Sequence, residues 1–277
     1  MNQEYTLKVV TPRTVIATTE NCNAGAVVLN NFIVAIDSTM FPVTAKQFRE
    51  DVEKKFHKPV KYLLITHYHG DHVFGAAPFK DTKIIGSTKL VEGLKGKLES
   101  QWAKEAFDEW IKQEPERKED IESIEIILPE IIFENRYMIK DDDLQIEINH
   151  IGGHTAGSSY AYFSHEKVLF AGDLMFAESF PWAGDPTCNP DHWITAFGNM
   201  IKLDIETIIP GHGPIVGKEE MNKHWIFFKE LREATIEAIG NNESYEKIAV
   251  PDFYGSDEDW IIPETLKHWH KFYENRL

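Results

Sequence analysis

Tyr62-Leu63-Leu64-Ile65-Thr66-His67-Tyr68-His69-Gly70-Asp71-His72 runs from an apolar stretch into a cluster of metal-binding side chains. Four of the six positions from His67 to His72 carry nitrogen or oxygen donors suited to zinc. A buried strand opening into a loop is where a rigid scaffold places chemistry. In extended backbone His67 and His69 point to one side, so both reach one ion. Asp71 and His72 are adjacent, which predicts that they diverge and serve a second ion beside the first. Gly70 between the pairs lets the backbone turn without steric cost. The competing reading, a histidine-rich surface loop, leaves the placement at a strand end unexplained.

Three further signals share this placement. His154 lies in Gly152-Gly153-His154-Thr155-Ala156-Gly157-Ser158, after a strand ending at Ile151. Asp173 follows the strand Val168 to Ala171, and His212 in Pro210-Gly211-His212-Gly213-Pro214 follows Thr207 to Ile209. Each donor is expected just past an apolar strand, beside glycine. Cys22 and Cys188 are the only cysteines, too far apart in sequence for a CxxC site, so histidine and aspartate must supply the ligands.

The surrounding pattern is mixed. Thr6 to Val10, Thr14 to Thr18, Gly25 to Leu29 and Phe32 to Ile36 read as strands, with a tight turn at Asn30-Asn31. Pro42 opens a helix to Phe56, and Val60 to Ile65 is the strand that delivers the first motif. Residues 88 to 118 read as helical, with Leu94, Leu98, Trp102, Ala106 and Trp110 at three- and four-residue spacing. That stripe fits a surface helix with an apolar underside better than a lid whose Trp102 or Trp110 covers the metals. A second strand-rich block (Ile131 to Phe133, Leu144 to Ile151, Tyr160 to Phe163, Val168 to Ala171) precedes helices from Asn189 to Leu203, from Lys218 to Ile239 and from Pro263. Two similar halves predict two sheets packed face to face with helices outside, in one domain over residues 1–277.

Net charge is −16, which argues against a broad nucleic-acid face. The N-terminus Met1-Asn2-Gln3-Glu4-Tyr5 shows no leader pattern, and no apolar run approaches a membrane span, so a cytoplasmic protein with a small-molecule substrate is expected. The terminal aromatics Trp260, Trp269, Phe272 and Tyr273 read as core or homodimer contacts.

The series HxHxDH, His, Asp, His resembles that of the metallo-β-lactamase-fold superfamily, in order and over nearly the whole length. The resemblance implies an α+β fold, a four-layer αββα sandwich of two mixed sheets. It also implies a dinuclear site: His67, His69 and His154 on one ion, Asp71, His72 and His212 on a second, and Asp173 bridging. Two divalent ions, zinc first with iron or manganese as alternatives, lower the pKa of water and polarise the bond to be cut. Asp71 is the expected catalytic residue, orienting a metal-bridging hydroxide.

Departures within the superfamily narrow the substrate. β-Lactamases carry cysteine or serine where Asp173 stands, whereas a bridging aspartate resembles the glyoxalase II-like thioesterases, the lactonases and the phosphodiesterases. The basic C-terminal pattern of glyoxalase II has no clear match here. His69 replaces the glutamate of flavodiiron enzymes, and the basic arm of the transfer-RNA nucleases is not visible. A small ester, lactone or thioester is the expected substrate. β-Lactam or phosphodiester hydrolysis and a mononuclear iron dioxygenase resembling the persulfide dioxygenases are the alternatives. The segment Phe176 to Trp182 either lines the pocket or packs its loop onto the sandwich. Tyr68, Ser158, Ser159 and His192 read as supporting residues, while His57, His165, His224, His268 and His270 receive no chemistry.

Overall fold

The apolar stretches of the N-terminal third assemble into one sheet in simple chain order. The structure, a computed structural model, describes residues 5–276; Met1 to Glu4, weighed above for a leader, lie outside them. Strands β1 (Tyr5–Thr11), β2 (Thr14–Thr19), β3 (Asn23–Val28), β4 (Ile33–Ile36), β5 (Val60–Leu64), β6 (Lys83–Ser87) and β7 (Ile131–Phe133) pair in that sequence. β1 to β4 are antiparallel and β4 to β7 parallel, so the sheet is mixed. A second sheet has the order β12-β11-β10-β9-β8, from β8 (Arg136–Asp141), β9 (Leu144–His150), β10 (Ser159–Phe163), β11 (Val168–Phe176) and β12 (Thr207–His212). Only its β11–β12 pair is parallel.

The helices are α1 (Pro42–Phe56), α2 (Gly70–Val73), α3 (Thr88–Leu98), α4 (Lys104–Gln113), α5 (Lys118–Glu122), α6 (Pro190–Met200), α7 (Lys218–Gly240) and α8 (Ile261–Glu274). Three apolar clusters separate four layers. Ile16, Val34 and Leu64 of the first sheet meet Ile146, Phe163 and Phe170 of the second. Phe48, Leu90 and Leu94 seat α1 and α3 on the outer face of the first sheet. Trp193, Phe228 and Trp269 seat α6, α7 and α8 on the second. The period of two is visible in β2, where Val15 and Ala17 face the helices while Ile16 faces the other sheet. With both faces covered, a strand reads as a continuous apolar run, which is why β5 stands out in the sequence. The architecture is the αββα sandwich that the motif series implied.

Several elements differ from the sequence expectation. The helical stretch 88–118 is broken: α3 stops at Leu98, α4 spans Lys104–Gln113, and Pro115 opens a 3-10 turn before α5. Proline cannot donate the helical hydrogen bond, so the chain turns there. Trp102 packs edge-on against Phe74 with ring centroids 4.8 Å apart, and Trp110 stacks on Phe41 at 5.8 Å. Both indoles serve the apolar underside, and neither lines the cleft over the metal donors. β8 was not anticipated. β11 continues to Phe176 through register shifts around Gly172, and β12 reaches His212. Asp173 and His212 therefore sit inside the ends of strands and not beyond them. The turn at Asn30-Asn31 and the helix from Pro42 are as expected, and α8 begins two residues before Pro263. Trp269 and Tyr273 are buried in this chain's own core, whereas Trp260 is exposed.

If the tryptophans hold the underside of α4, Trp102→Ala lowers stability by about 1–2 kcal/mol for the apolar area re-exposed. Denaturant unfolding should show that loss while substrate turnover stays at the wild-type level. A changed KM would return Trp102 to the role of a lid.

Candidate metal centre

β5 and β11 lie in different sheets, and their C-terminal ends meet at one edge of the sandwich. After β5 the chain stays extended through His69, whose φ and ψ are −86° and 151°, and then turns into α2. Gly70 has no left-handed backbone. Its need for glycine is one of space, because a Cβ there would meet the ring of Phe74 at 2.5 Å. Asp71 and His72 lie on α2 and, against expectation, converge: Asp71 Oδ2 and His72 Nε2 are 3.4 Å apart. A helical step separates their Cβ directions by about 100°, which lets both side chains bend to one point. The turn carrying His154 requires two left-handed glycines, Gly152 at φ 73° and Gly153 at φ 111°. On β11, Gly172 at φ 51° aims Asp173 into the site.

All seven predicted donors come together. His69 Nδ1 lies 3.1 Å from His67 Nε2 and 2.9 Å from His154 Nε2, and both of these nitrogens lie 3.4 Å from Asp173 Oδ2. A second group forms beside the first. Asp71 Oδ2 is 3.4 Å from His72 Nε2 and 3.3 Å from His212 Nε2. Asp173 faces this group as well, with Oδ1 3.0 Å from His72 Nε2 and Oδ2 3.2 Å from His212 Nε2. Ligands on a tetrahedral zinc, with bonds near 2.0–2.1 Å, stand about 3.3 Å from one another, so this spacing suits an ion at the centre of each group. The chemistry of the donors fits too. His72 Nε2 and Asp173 Oδ1 are buried and close to each other, yet neither makes a properly directed hydrogen bond among the described residues, a costly arrangement unless a cation completes it.

The outer nitrogens are tied down, which selects the tautomer that leaves the inner one free. His67 Nδ1 meets Thr66 Oγ1 at 3.1 Å, and His72 Nδ1 meets Asp37 Oδ2 at 2.9 Å. His69 Nε2 meets Asp185 Oδ2 at 3.1 Å, and His154 Nδ1 donates to the Trp182 carbonyl at 3.1 Å. Thr66 donates its hydroxyl to Asp37 at 2.8 Å, joining the two groups through a buried network. Asp37, Asp185 and Thr66 were missed in the sequence. Asp37 had a signal, since it follows β4 as the metal donors follow theirs; Asp185, in a loop 116 residues from His69, had none. Cys22 was missed as well: buried beneath α2, it donates its thiol to the Asp71 carbonyl at 2.9 Å and lies with Asp71 and His72. Burial pushes that thiol's pKa up, which keeps it a protonated donor. Tyr68 points away from the donors as expected and donates to Asp185 at 3.2 Å. Ser158 satisfies the backbone N–H of Thr155 at 2.9 Å, and the N–H of His192 bonds the helix cap Asn189.

The two groups differ in charge. Burial lowers the pKa of His67 and, more strongly, of His154, which favours the neutral imidazole that binds metal. Burial opposes charge on His72 as well, but Asp173, Asp71 and Asp37 overcome it and hold its pKa well above the ordinary value. His212 is likewise raised to about 10 against burial, chiefly by Asp173. Asp71 and Asp173 are held well below the usual carboxylate range by these histidines despite burial. Without metal, the second group therefore favours the protonated imidazoles, and an ion entering it competes with those protons.

The family description of the metallo-beta-lactamase superfamily matches residues 17–212, and the chain belongs to that superfamily. A beta-lactamase-like protein 2 homolog of Caenorhabditis elegans is 21% identical over 206 residues, covering 73% of this chain and 60% of that protein. The chain thus spans less than two thirds of that relative. The hydroxyacylglutathione hydrolase GloC of Haemophilus influenzae is 28% identical over 183 residues, covering 60% of this chain and 76% of that one. Among solved structures, a metallo-beta-lactamase from Pontibacter korlensis superposes with a TM-score of 0.64 at 16% identity, over 82% of this chain and 99% of the other. At that identity the likeness speaks for the fold.

Zinc added to metal-free protein in weak buffer near pH 7 should acidify the solution as His72 and His212 give up protons to the ion, and His72→Ala should reduce the protons released. Both pKa values are raised, so the competing protons are held across neutrality and affinity falls as pH is lowered. Asp37→Ala should weaken metal binding by about 10–100-fold in a chelator competition, although Asp37 is not itself a donor to the ion. Unchanged affinity would mean that His72 needs no such partner.

Proposed function

We propose that the protein is a metal-dependent hydrolase of small esters, lactones or thioesters that works with two divalent ions, zinc first among them. The observation that carries this reading is the placement of Asp173, a buried carboxylate facing two complete donor groups at once. His67, His69 and His154 would hold one ion; Asp71, His72 and His212 would hold the other. Histidine and aspartate donors of this kind also suit iron or manganese. When bound, such ions acidify water to a nucleophile near neutrality and polarise the carbonyl to be attacked.

The residues of the chain do the rest. Asp71 and His212 are partly exposed at the mouth of the site, while His67, His72, His154 and Asp173 are buried beneath them. Asp71, held anionic, can accept a hydrogen bond from the attacking water and fix its direction. Phe176 stacks flat on His212, with centroids 5.0 Å apart and planes 1° from parallel, and so holds that imidazole at the rim. Trp182 lies against His69 at 5.2 Å and against His154 at 5.8 Å. Its ring forms the apolar wall against which an acyl group would pack, and its carbonyl orients His154. The two roles weighed for the segment 176–182, lining and packing, are thus both served. The likeness to a hydroxyacylglutathione hydrolase supports ester-type cleavage, and Asp173 resembles the bridging aspartate of the thioesterase and lactonase branch more than the cysteine or serine of the β-lactamases. The mononuclear oxygenase alternative keeps the same motif residues and differs in binding one ion, so the number of ions bound separates the two readings.

Turnover of a panel of neutral aryl esters, lactones and thioesters should be abolished by chelation and restored by zinc or manganese. Asp71→Asn should reduce kcat by about 10²-fold or more through loss of the orienting carboxylate. Trp182→Ala should raise KM or reorder the substrates while metal content stays unchanged. A metal-loaded protein inert to the whole panel, or chelated protein at full activity, would overturn the reading.

A further inference from the structure

The cleft over the metal donors encloses about 760 Å³, within the range of small-molecule sites. Its lining has a marked charge imbalance. Besides Asp71 and Asp173 it includes Glu178, Asp257 and Glu258, with no lysine or arginine in the lining among the described residues, while Glu20 at its edge is paired with Arg117 at 2.7 Å. The aromatic residues form a path outward from the donors. The Trp182 ring touches His69 at 5.2 Å, and Trp260 meets Trp182 nearly edge-on at 6.3 Å. Trp260 is 52% exposed, high for so large an apolar side chain, and its indole N–H donates to Glu258 at 3.2 Å. An open indole face braced beside a carboxylate is the arrangement that attracts organic cations.

One feature of the cleft acts the other way. α8 starts at Ile261 on the wall, and a helix N-terminus brings partial positive charge. Glu264 in the first turn of that helix offsets it, and accepts the Trp182 indole N–H at 2.8 Å. That bond turns the N–H edge of Trp182 toward the helix. The metal ions would supply the positive charge at the floor of the cleft, where a carbonyl oxygen belongs. On the outer side, around Trp260, the charged side chains of the lining are the carboxylates Asp257 and Glu258.

We propose that the substrate carries a positively charged ammonium group, seated at the outer rim against Trp260 and Trp182 and near Glu258 and Asp257. The class of molecule is a small cationic ester or lactone: an amine or quaternary ammonium two or three bonds from the bond to be cut. Anionic substrates, including phosphodiesters and thioesters of acidic carriers, find no partner at this rim. This inference rests on the hydrolase reading for its reaction, but the binding it predicts does not.

Choline and 3,3-dimethylbutanol are nearly isosteric and differ in the charge, and each gives one sharp methyl signal for ligand-observed nuclear magnetic resonance with metal-loaded protein. Choline should bind about tenfold more tightly than the neutral isostere, and 0.5 M salt, on the order of a Debye length of 4 Å, should narrow that gap. Trp260→Ala and Glu258→Gln should each reduce choline affinity about threefold to tenfold with little effect on the neutral compound. Equal affinity for the two, tighter binding of anionic 3,3-dimethylbutyrate, or no detectable choline binding would overturn the inference. Hydrolysis of a neutral aryl acetate, measured in parallel, separates the two readings. Choline binding without any hydrolysis removes the hydrolase and leaves the ammonium site, whereas hydrolysis without charge preference does the reverse.

Discussion

The carboxylate of Asp173 is the constraint around which the rest of the molecule is arranged. It is buried, and the imidazoles of His67, His72, His154 and His212 all lie within 3.4 Å of it. Protons alone do not satisfy such a group. Two of the four histidines are pushed toward the neutral form and two toward the charged form, and one oxygen of the carboxylate still lacks a well-directed hydrogen bond among the described residues. A buried charge is tolerated only when it is paired or coordinates metal. The sandwich supplies what holds these groups in place: the end of β5 and the turn of α2 from one sheet, the ends of β11 and β12 from the other.

Behind the donors stands a second ring of groups that makes the first one rigid. Asp37, Thr66, Asp185 and the Trp182 carbonyl each fix one histidine by its outer nitrogen. Asp37 also accepts the N–H of Thr66 at 2.8 Å, so the strand end that carries His67 is anchored to the same carboxylate that orients His72. Preorganised ligands lose little entropy when the ion arrives, and their mutual repulsion is met in folding rather than in binding.

The donor set was legible because strands announce themselves by apolar runs, and a histidine or aspartate at a strand tip has few structural reasons to be there. All seven positions met at one edge for that reason. The outer ring was not legible, apart from the hint at Asp37. Asp185 and Thr66 act through contacts that depend on how loops cross, and nothing in local periodicity records this. The 88–118 segment shows a different limit: spacing of three and four residues identified the apolar stripe and its packing role, but not the breaks at Leu98 and Pro115. β8 escaped notice because Arg136, Lys140 and Asp141 interrupt its apolar pattern, and its cover comes from Ile146 and its neighbours on other strands. The expectation that Asp71 and His72 diverge failed because they lie on a short helix and not on extended chain.

Anomalous diffraction from crystals of the metal-loaded protein tests the central claim most directly. Two peaks flanking the Asp173 carboxylate are predicted, one enclosed by His67, His69 and His154 and the other by Asp71, His72 and His212. A single peak at full metal saturation, with Asp71 and His212 turned away from it, would contradict the account.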